Sequence, residues 1–404
     1  MPTVLFGISG SIAAFRALEV IRLLVADGIT VIPVLSDGGA KFITRTSVEA
    51  LSGQRAVTDI FPENLQQEIE HIALARKADL MVTCPASADI IAKYACGIAD
   101  DPLALVALAY GTPHLVAPAM NPLMWSNPAT ESNVEILKKR GFEFIGPDKG
   151  IMACGDVGWG RLSPIEEIYG AINAALGKNG PLAGKKILVS SGATREPVDD
   201  IRYLTNRSSG RMGNAIAVAA RDMGADVTLV SASMDVPMSV SAGLNLRHVD
   251  TAIEMHDMML KEAENADAVI MTAAVADFSP IDAVKGKIKK DSGFNAIQLE
   301  RTPDILLELG LRKPAGQLLV GFAAEYSPDG LEEARRKCRD KACNFICLND
   351  VSRGDIGFET DENEIILVYP DGVKKELPKG KKVEIAREIM KEIADWLDEI
   401  RDGG

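Results

Sequence analysis

Short apolar runs alternate along this chain with stretches in which apolar residues recur every third or fourth position. Thr3–Gly7, Thr30–Leu35, Leu80–Cys84 and His114–Pro118 have strand length and predict strands, whereas Ile12–Ala26 and a stretch ahead of Leu80 have the helical period. Strands and helices in alternation predict a parallel sheet wrapped by helices. Residues 177–185, rich in Gly with one Pro, interrupt both periods and predict a linker. Beyond it the rhythm resumes in Lys186–Ser191, Asp226–Ser231, Ala268–Thr272, Leu318–Phe322 and Asn344–Leu348. Glu364–Tyr369 and Gly372–Leu377 flank Pro370-Asp371-Gly372 and predict a hairpin, followed by a terminal helix.

The 404 residues suffice for two domains, each with its own core. Hydrophobic residues at 47% and charged residues at 25% are ordinary for a folded chain and argue against long disorder. A net charge of -13 argues against nucleic acid or anionic lipid as partner, so any anionic substrate has to be held locally, by loops and helix N-termini. Six irregularly spaced cysteines read as reduced thiols. Cys338, Cys343 and Cys347 come closest to a cluster, but a helix and a strand should separate the outer two. Met1–Gly7 runs straight into a strand, and no apolar run has membrane-spanning length, so a cytoplasmic protein is expected.

Several segments in the N-terminal half carry candidate chemistry. Gly7-Ile8-Ser9-Gly10-Ser11 leaves a strand and opens a helix, where N–H groups and hydroxyls could cradle a phosphate; a plain glycine turn is the other reading. The dinucleotide fingerprint lacks its third glycine, which favours one terminal phosphate over a pyrophosphate. Thr83-Cys84-Pro85-Ala86-Ser87 puts small residues at a strand end where a flat ring could lie, and Ser87 as an N-cap explains it as well. His71 is of the type best matched to proton transfer near neutral pH, against the commoner reading as a half-buried surface residue. Pro118-Ala119-Met120-Asn121 presents an amide that could grip a substrate or cap the next helix. Ala153-Cys154-Gly155-Asp156-Val157-Gly158-Trp159-Gly160-Arg161 holds three glycines and predicts a mobile flap with an exposed thiol.

In this order the Gly7 turn, His71, Pro118–Asn121 and the Cys154 flap resemble the flavin-dependent cysteine decarboxylases, among them the phosphopantothenoylcysteine decarboxylases. The resemblance implies FMN held by Gly10, Ser11, Ser36 and Ser87, His71 as base, Asn121 gripping the substrate beside Met120, and Cys154 as proton donor. Loss of carbon dioxide from a cysteinyl carboxylate leaves a carbanion, and oxidation of the thiol gives that charge somewhere to go, which is the task of a flavin.

In the C-terminal half, Ser191-Gly192-Ala193-Thr194-Arg195 leaves a strand and Arg202-Tyr203-Leu204-Thr205-Asn206-Arg207-Ser208-Ser209-Gly210-Arg211-Met212-Gly213 enters a helix. Its hydroxyls, amides and cations suit a phosphate, and a solvated loop suits them as well. Ala273–Phe278 ends another strand, and Lys285–Lys290 reads as a flexible lysine-rich loop. With Thr302-Pro303-Asp304-Ile305, Gly321–Glu325 and Asn349-Asp350, these segments resemble the phosphopantothenate-cysteine ligases. That family activates 4'-phosphopantothenate with CTP and lets L-cysteine displace CMP. The resemblance assigns Met271, Thr272, Ala273, Asp277, Lys287, Thr302, Pro303, Asp304, Ile305, Phe322, Lys337 and Lys341 to the nucleotide. It assigns Asn206 to the acyl-cytidylate, Arg202 and Arg207 to the substrate, and Mg2+ to the triphosphate. The chain departs from the family in Thr302, where Asn is usual, and in one extra residue between Glu325 and Lys337.

Together the resemblances imply an α/β chain of two three-layer domains. These are a flavodoxin-like or Rossmann-like flavoprotein domain over residues 1–178 and, past a linker at 179–185, a Rossmann-like ligase domain with a β-hairpin extension over 186–404. They also imply a homo-oligomer with trimeric decarboxylase and dimeric ligase contacts. Two rival classes stand beside this reading. A non-catalytic flavin-binding subunit would normally lack one of His71, Asn121 and Cys154, and a nicotinamide oxidoreductase would carry the fingerprint that is missing here.

Overall fold

Continuous apolar strands are buried on both faces only when helices cover both sides of a sheet, and the chain solves that problem twice. The computed structural model describes residues 1–59, 70–111, 113–153, 155–233, 235–289, 296–325, 330–350 and 362–402, in two units, Met1–Leu176 and Gly177–Gly404.

In the first unit, β1 (Thr3–Ile8), β2 (Thr30–Leu35), β3 (Leu80–Ala86), β4 (His114–Pro118) and β5 (Phe142–Phe144) form a parallel sheet in the order β2-β1-β3-β4-β5. The helices are α1 (Ala14–Ala26), α2 (Arg45–Ser52), α3 (Glu70–Lys77), α4 (Ala88–Cys96), α5 (Pro102–Ala109), α6 (Pro122–Trp125), α7 (Pro128–Lys139) and α8 (Ile165–Gly177). Val4, Phe6 and Ile8 of β1 join one core with α1 and α8, and Leu5 joins the opposite core with α4 and α5. This strand order is the flavodoxin-like one. A hairpin of β6 (Asp148–Ile151) and β7 (Val157–Arg161) stands apart from the sheet.

The second unit has one eight-stranded sheet, built from β8 (Lys186–Ser191), β11 (Asp226–Ser231), β12 (Asn245–His248), β13 (Ala268–Met271), β16 (Leu318–Glu325), β17 (Phe345–Asp350), β18 (Glu362–Val368) and β19 (Lys374–Lys381). Two small ribbons, β9 (Arg195–Pro197) with β10 (Tyr203–Thr205) and β14 (Phe278–Pro280) with β15 (Leu299–Arg301), lie in its loops. The order β12-β11-β8-β13-β16-β17-β18-β19 is the doubly wound Rossmann pattern, parallel through β17 and closed by antiparallel β18 and β19. Relative to the limits expected from sequence, β18 starts and ends earlier and β19 starts and ends later. The helices are α9 (Arg211–Asp222), α10 (Met238–Ser241), α11 (Ala252–Ala263), α12 (Ile305–Arg312), α13 (Gly330–Asp340) and α14 (Lys382–Asp402). One core face carries α9 and α14, and the other carries α11, α12 and α13.

The segment expected to act as a linker is folded onto this unit. Leu182 is fully buried and its N–H donates to Met223 O at 2.9 Å. Gly177 and Gly180 lie so close to the backbone of Asp222 and Met223 that a Cβ on either would come within 2.3 and 2.5 Å of a carbonyl oxygen. Cys338 lies on α13 and Cys347 on β17, as expected, and among the described residues no group of His, Cys, Asp and Glu could hold a metal. Nor is any described helix long and apolar enough to cross a membrane.

His114 is fully buried at the start of β4, its Nε2 2.9 Å from Thr83 Oγ1 and its ring against Tyr94 and Phe142. Burial pushes its pKa down to about 3, so the folded chain refuses a proton that the unfolded chain accepts below about pH 6.5. Stability therefore falls as pH drops through this window, by about 2 kcal/mol between pH 6.5 and pH 5. Urea titrations of the wild type and His114→Phe at these two pH values check this: the variant should lose most of that slope, and an unchanged slope would exonerate the imidazole.

Candidate functional site

In a parallel sheet the loops leaving the carboxyl ends of the strands form a crevice where the strand order reverses, which in the first unit is between β1 and β3. Three loops are stitched together there. Ser9 Oγ donates to Pro85 O at 2.8 Å and accepts from Ser87 N–H at 2.8 Å, joining the loop after β1 to the loop after β3. Gly10 lies against Gly38 in the loop after β2, and a Cβ on Gly10 would come 3.1 Å from Gly38 Cα. Ser36 Oγ accepts from Gly39 N–H at 3.0 Å. No side chain caps the start of α1, so its positive end faces the Gly10-Ser11 turn. Thus Gly10, Ser11, Ser36 and Ser87, assigned to one cofactor by sequence, share one edge. Ser87 also caps α4 by accepting from Ile90 N–H at 3.3 Å, so its structural and ligand readings are compatible.

His71 lies within the first turn of α3. Since α3 descends to the amino end of β3, His71 sits toward the carboxyl edge, the side of the crevice. Asn121 caps α6, its Oδ1 accepting from Leu123 N–H at 2.8 Å, while its Nδ2 donates to Asp156 Oδ2 at 2.7 Å. Cys154 lies outside the described residues.

The glycine-rich segment, expected to be a mobile flap, is the hairpin β6–β7, and two of its glycines serve packing. A Cβ on Gly158 would come 2.9 Å from Pro122, and one on Gly160 would come 2.3 Å from Met120 O, at a φ of +134°. Met120 N–H donates to Gly160 O at 2.9 Å. The glycines therefore let the hairpin lie directly on the Met120–Pro122 segment. Only Gly155, at φ +89° with no neighbour near a would-be Cβ, belongs to the turn.

In the second unit the reversal falls between β8 and β13, and a cavity of about 920 Å³ opens there. Ser190, fully buried, accepts at Oγ from Thr272 N–H and Ala273 N–H, both at 3.0 Å, and Thr272 Oγ1 donates back to Ser190 O. Thr194 Oγ1 accepts from Ala276 N–H at 2.9 Å, and Thr302 Oγ1 donates to Ala276 O at 2.5 Å. A Cβ on Gly213 would come 2.4 Å from Thr272 Oγ1, so only glycine lets α9 begin this close to β13. No side chain caps α9, whose N-cap Gly210 has a φ of +74°. Lys341 Nζ pairs with Asp304 at 2.9 Å, across the start of α12.

The cavity collects most residues that the sequence assigned to nucleotide and substrate: Asn206, Arg207, Met271, Thr272, Ala273, Asp277, Thr302, Pro303, Asp304, Ile305, Phe322 and Lys341. It does not collect Lys287, Lys337 or Arg202. Lys337 pairs with Glu333 on α13. Arg202 binds buried Asp199 and, at 3.1 Å, Ile288 O; its guanidinium holds the Asp199 carboxyl well below the usual range. Asp199 Oδ2 also accepts from Ile288 N–H, and Asp200 from Gly286 N–H, so the start of the lysine-rich loop is tied down rather than flexible. Asn206 Nδ2 donates to the carbonyls of Ala274 and Val275 at 3.2 and 3.1 Å. Asn363 and Lys382, which no motif flagged, line the same cavity with Asn349. The one sequence signal available for Lys382 was its position in the first turn of a helix, where a cation is disfavoured.

Two family models match the chain, that for flavoproteins over residues 1–177 and that for the C-terminal domain of DNA/pantothenate metabolism flavoproteins over residues 182–397. The coenzyme A biosynthesis bifunctional protein CoaBC of Bacillus subtilis is 40% identical over 97% of this chain and 96% of its own length. The C-terminal domain of a coenzyme A biosynthesis bifunctional protein CoaBC, known from its crystal structure, is 39% identical over 55% of this chain and 99% of that one, with a TM-score of 0.46. A PPC decarboxylase mutant complexed with pantothenoylaminoethenethiol is 32% identical over 42% of this chain and 96% of that one, with a TM-score of 0.40. With near end-to-end identity at this level, the chain belongs to the family of coenzyme A biosynthesis bifunctional proteins.

Proposed function

We propose that this chain makes 4'-phosphopantetheine in two steps. The second unit joins 4'-phosphopantothenate to L-cysteine at the expense of CTP, and the first decarboxylates the 4'-phospho-N-pantothenoylcysteine so formed. The observation that supports the reading is that Gly10, Ser11, Ser36 and Ser87 in the first unit, and most of the nucleotide residues in the second, lie at the carboxyl edge about the reversal point of their own sheet, the place where open α/β sheets bind ligands.

In the second unit, a carboxylate oxygen of phosphopantothenate attacks the α-phosphorus, the bond to the β-phosphate breaks, and pyrophosphate leaves. The cysteine amine then attacks the acyl carbon, loses a proton and expels CMP. Arg207 and the uncapped start of α9 suit phosphate oxygens, and Mg2+ would arrive with the triphosphate, since that ion is mostly held by substrate phosphates plus one or two carboxylates, here Asp277 and Asp304. Asn206, with both donors committed to backbone, fixes the Ala274-Val275 loop on which the acyl-cytidylate would rest.

In the first unit, FMN fits the crevice because the hydroxyls of Ser11, Ser36 and Ser87, the bare backbone at Gly10 and the open start of α1 match a single phosphate and a flat ring. Bound there, it would supply the electron acceptor through which the cysteinyl thiol becomes a thioaldehyde and carbon dioxide can depart, and it would return the same two electrons as hydride at the end, so that the overall reaction is redox-neutral. His71 takes the thiol proton. Asn121, braced by Asp156, holds the substrate carboxylate, and Cys154, two residues before Asp156, returns a proton to the enethiolate. Exposed Ile12, Phe15, Leu123, Ile151, Val157 and Trp159 around this edge favour a second copy of the chain as cover, and hence a homo-oligomer.

Purified chain given phosphopantothenate, cysteine, Mg2+ and either CTP or ATP should yield 4'-phosphopantetheine by mass; a colourless preparation that takes up no FMN would sink the decarboxylase half. Cys154→Ser should keep flavin yet release carbon dioxide without finished product, and full turnover would remove its role. Gly160→Ala should cost about 2 kcal/mol and at least tenfold in decarboxylation while ligation persists; thermal melts and separate assays of the two steps decide it. Asn206→Asp sets a carboxylate against two carbonyls, so amide formation should fall at least a hundredfold, and unchanged formation contradicts the placement.

A further inference from the structure

Arg202 and Lys287, which the sequence resemblance assigned to substrate and nucleotide, both stay outside the cavity of the second unit, and one hydrogen-bonded device joins them. Asp199 sits in the turn between β9 and β10 with its carboxylate fully shielded from solvent. Its Oδ1 accepts from Ile201 N–H at 2.9 Å and from Arg202 N–H at 2.7 Å, which shapes the turn. Its Oδ2 accepts from Arg202 Nε at 3.0 Å, from Nη2 of the same guanidinium, and from Ile288 N–H at 3.0 Å. Arg202 Nη2 also donates to Ile288 O at 3.1 Å.

The ion pair thus holds both backbone groups of one distant residue, as a neighbouring strand would. Two more bonds secure the same stretch: Asp200 Oδ2 accepts from Gly286 N–H at 2.8 Å, and Val284 N–H donates to Val198 O at 3.1 Å. Gly286, at φ +80° with no atom near a would-be Cβ, turns the chain just before Lys287. Lys287 therefore stands exposed between two residues whose backbone the 198–202 turn fixes. A buried carboxylate loses its hydration, and the hydrogen bonds from Ile201, Arg202 and Ile288 offset that loss. Both partners lead into the cavity wall. β10 runs on to Asn206 and Arg207, and the lysine-rich segment departs after Asp277 and Phe278 and comes back to the wall at Arg301 and Thr302.

We propose that Asp199 and Arg202 are positioning residues for the nucleotide: they fix the backbone of residues 286–288 so that the Lys287 ammonium meets the terminal phosphates. The inference rests on the ligase reading above. Arg202 then acts on the nucleotide through Lys287 and touches no substrate itself. Lys287 does not line the empty cavity, which suits a partner that projects beyond the walls, as the terminal phosphates of a nucleotide do. Attack at the α-phosphorus builds negative charge on the departing pyrophosphate, and a cation stabilises it best when held at the right spot beforehand. The grip calls for a guanidinium, because its fork reaches Asp199 and Ile288 O together, where an ammonium is a single point of charge.

Calorimetry on the full chain with Mg2+ and CTP or ATP, and separately with CMP or AMP, tests this in the absence of phosphopantothenate and hence without turnover. Lys287→Ala should weaken the triphosphate about tenfold and leave the monophosphate unmoved. Asp199→Asn and Arg202→Lys should each weaken the triphosphate severalfold, again with the monophosphate unmoved, and each should add little once residue 287 is alanine. A turn that merely supports the fold would instead add its effect to that of Lys287→Ala and weaken the monophosphate as well, which would overturn the proposal. Wild-type triphosphate affinity in Lys287→Ala or in both turn variants, or no triphosphate binding by the wild type, would overturn it too. Should Asp199→Asn not fold, Arg202→Lys and Asp200→Ala, the latter releasing Gly286 N–H from an exposed carboxylate, complete the same cycle. A wild type that binds a triphosphate yet ligates with none would count against the ligase reading, while the cycle would still report on the turn.

Discussion

At the reversal point of each sheet a buried serine hydroxyl ties together the two loops that leave it. Ser9 joins the turn after β1 to Pro85 at the end of β3 and Ser87 just beyond it, and Ser190 at the end of β8 joins Thr272 and Ala273 after β13. The constraint they answer is general. A parallel sheet splays its loops apart where its order reverses, which makes the crevice but leaves backbone groups without partners. One hydroxyl, both donor and acceptor or doubly acceptor, satisfies two such groups at about 1 kcal/mol each and sets the spacing of the crevice walls. Ligand groups can then be met by backbone held in place rather than by mobile side chains.

Glycine completes that device. Gly213 against the Ser190 carbonyl and Gly160 against the Met120 carbonyl bring two backbone segments closer than a Cβ would permit, and a Cβ on Gly10 would be crowded at 3.1 Å from Gly38. In the first unit this aligns three loops and the hairpin. In the second it sets the positive end of α9 directly at the cavity. Sequence and packing meet here, because the residue with no side chain is the one whose replacement alters the site most.

Much of this was legible in the chain itself. The strand runs and their spacing pointed to the parallel sheets, because β1 and the Ile187–Val189 stretch of β8 must be apolar to lie between two helical layers. The cavity of the second unit holds most of the residues its motifs named, since those motifs are the loops at strand ends. What escaped depends on partners distant in sequence. Arg202 looked like a substrate cation, yet the Asp199 turn claims it, and lysines in a charge run told nothing of the aspartates that anchor the backbone of Gly286 and Ile288 between them. Residues 177–185 carry a linker's composition, but their contact with Met223 is a matter of packing that composition does not encode. The glycines of the hairpin read as mobility because the same residue serves turns and close approaches, and only the neighbour across the gap distinguishes them.

An acidic chain that handles several phosphorylated molecules has to create positive potential locally without becoming basic overall. Helix starts do this economically, because an uncapped first turn offers about half a positive charge and aligned N–H donors without a side chain that would attract other anions. The first unit has one such start, at α1, facing the crevice suited to a single phosphate. The second has the uncapped start of α9 at the cavity proposed for a triphosphate. Because these donors are backbone, the cost of ordering them was met when the sheets folded, and only side chains such as Arg207 remain to be settled by the ligand itself.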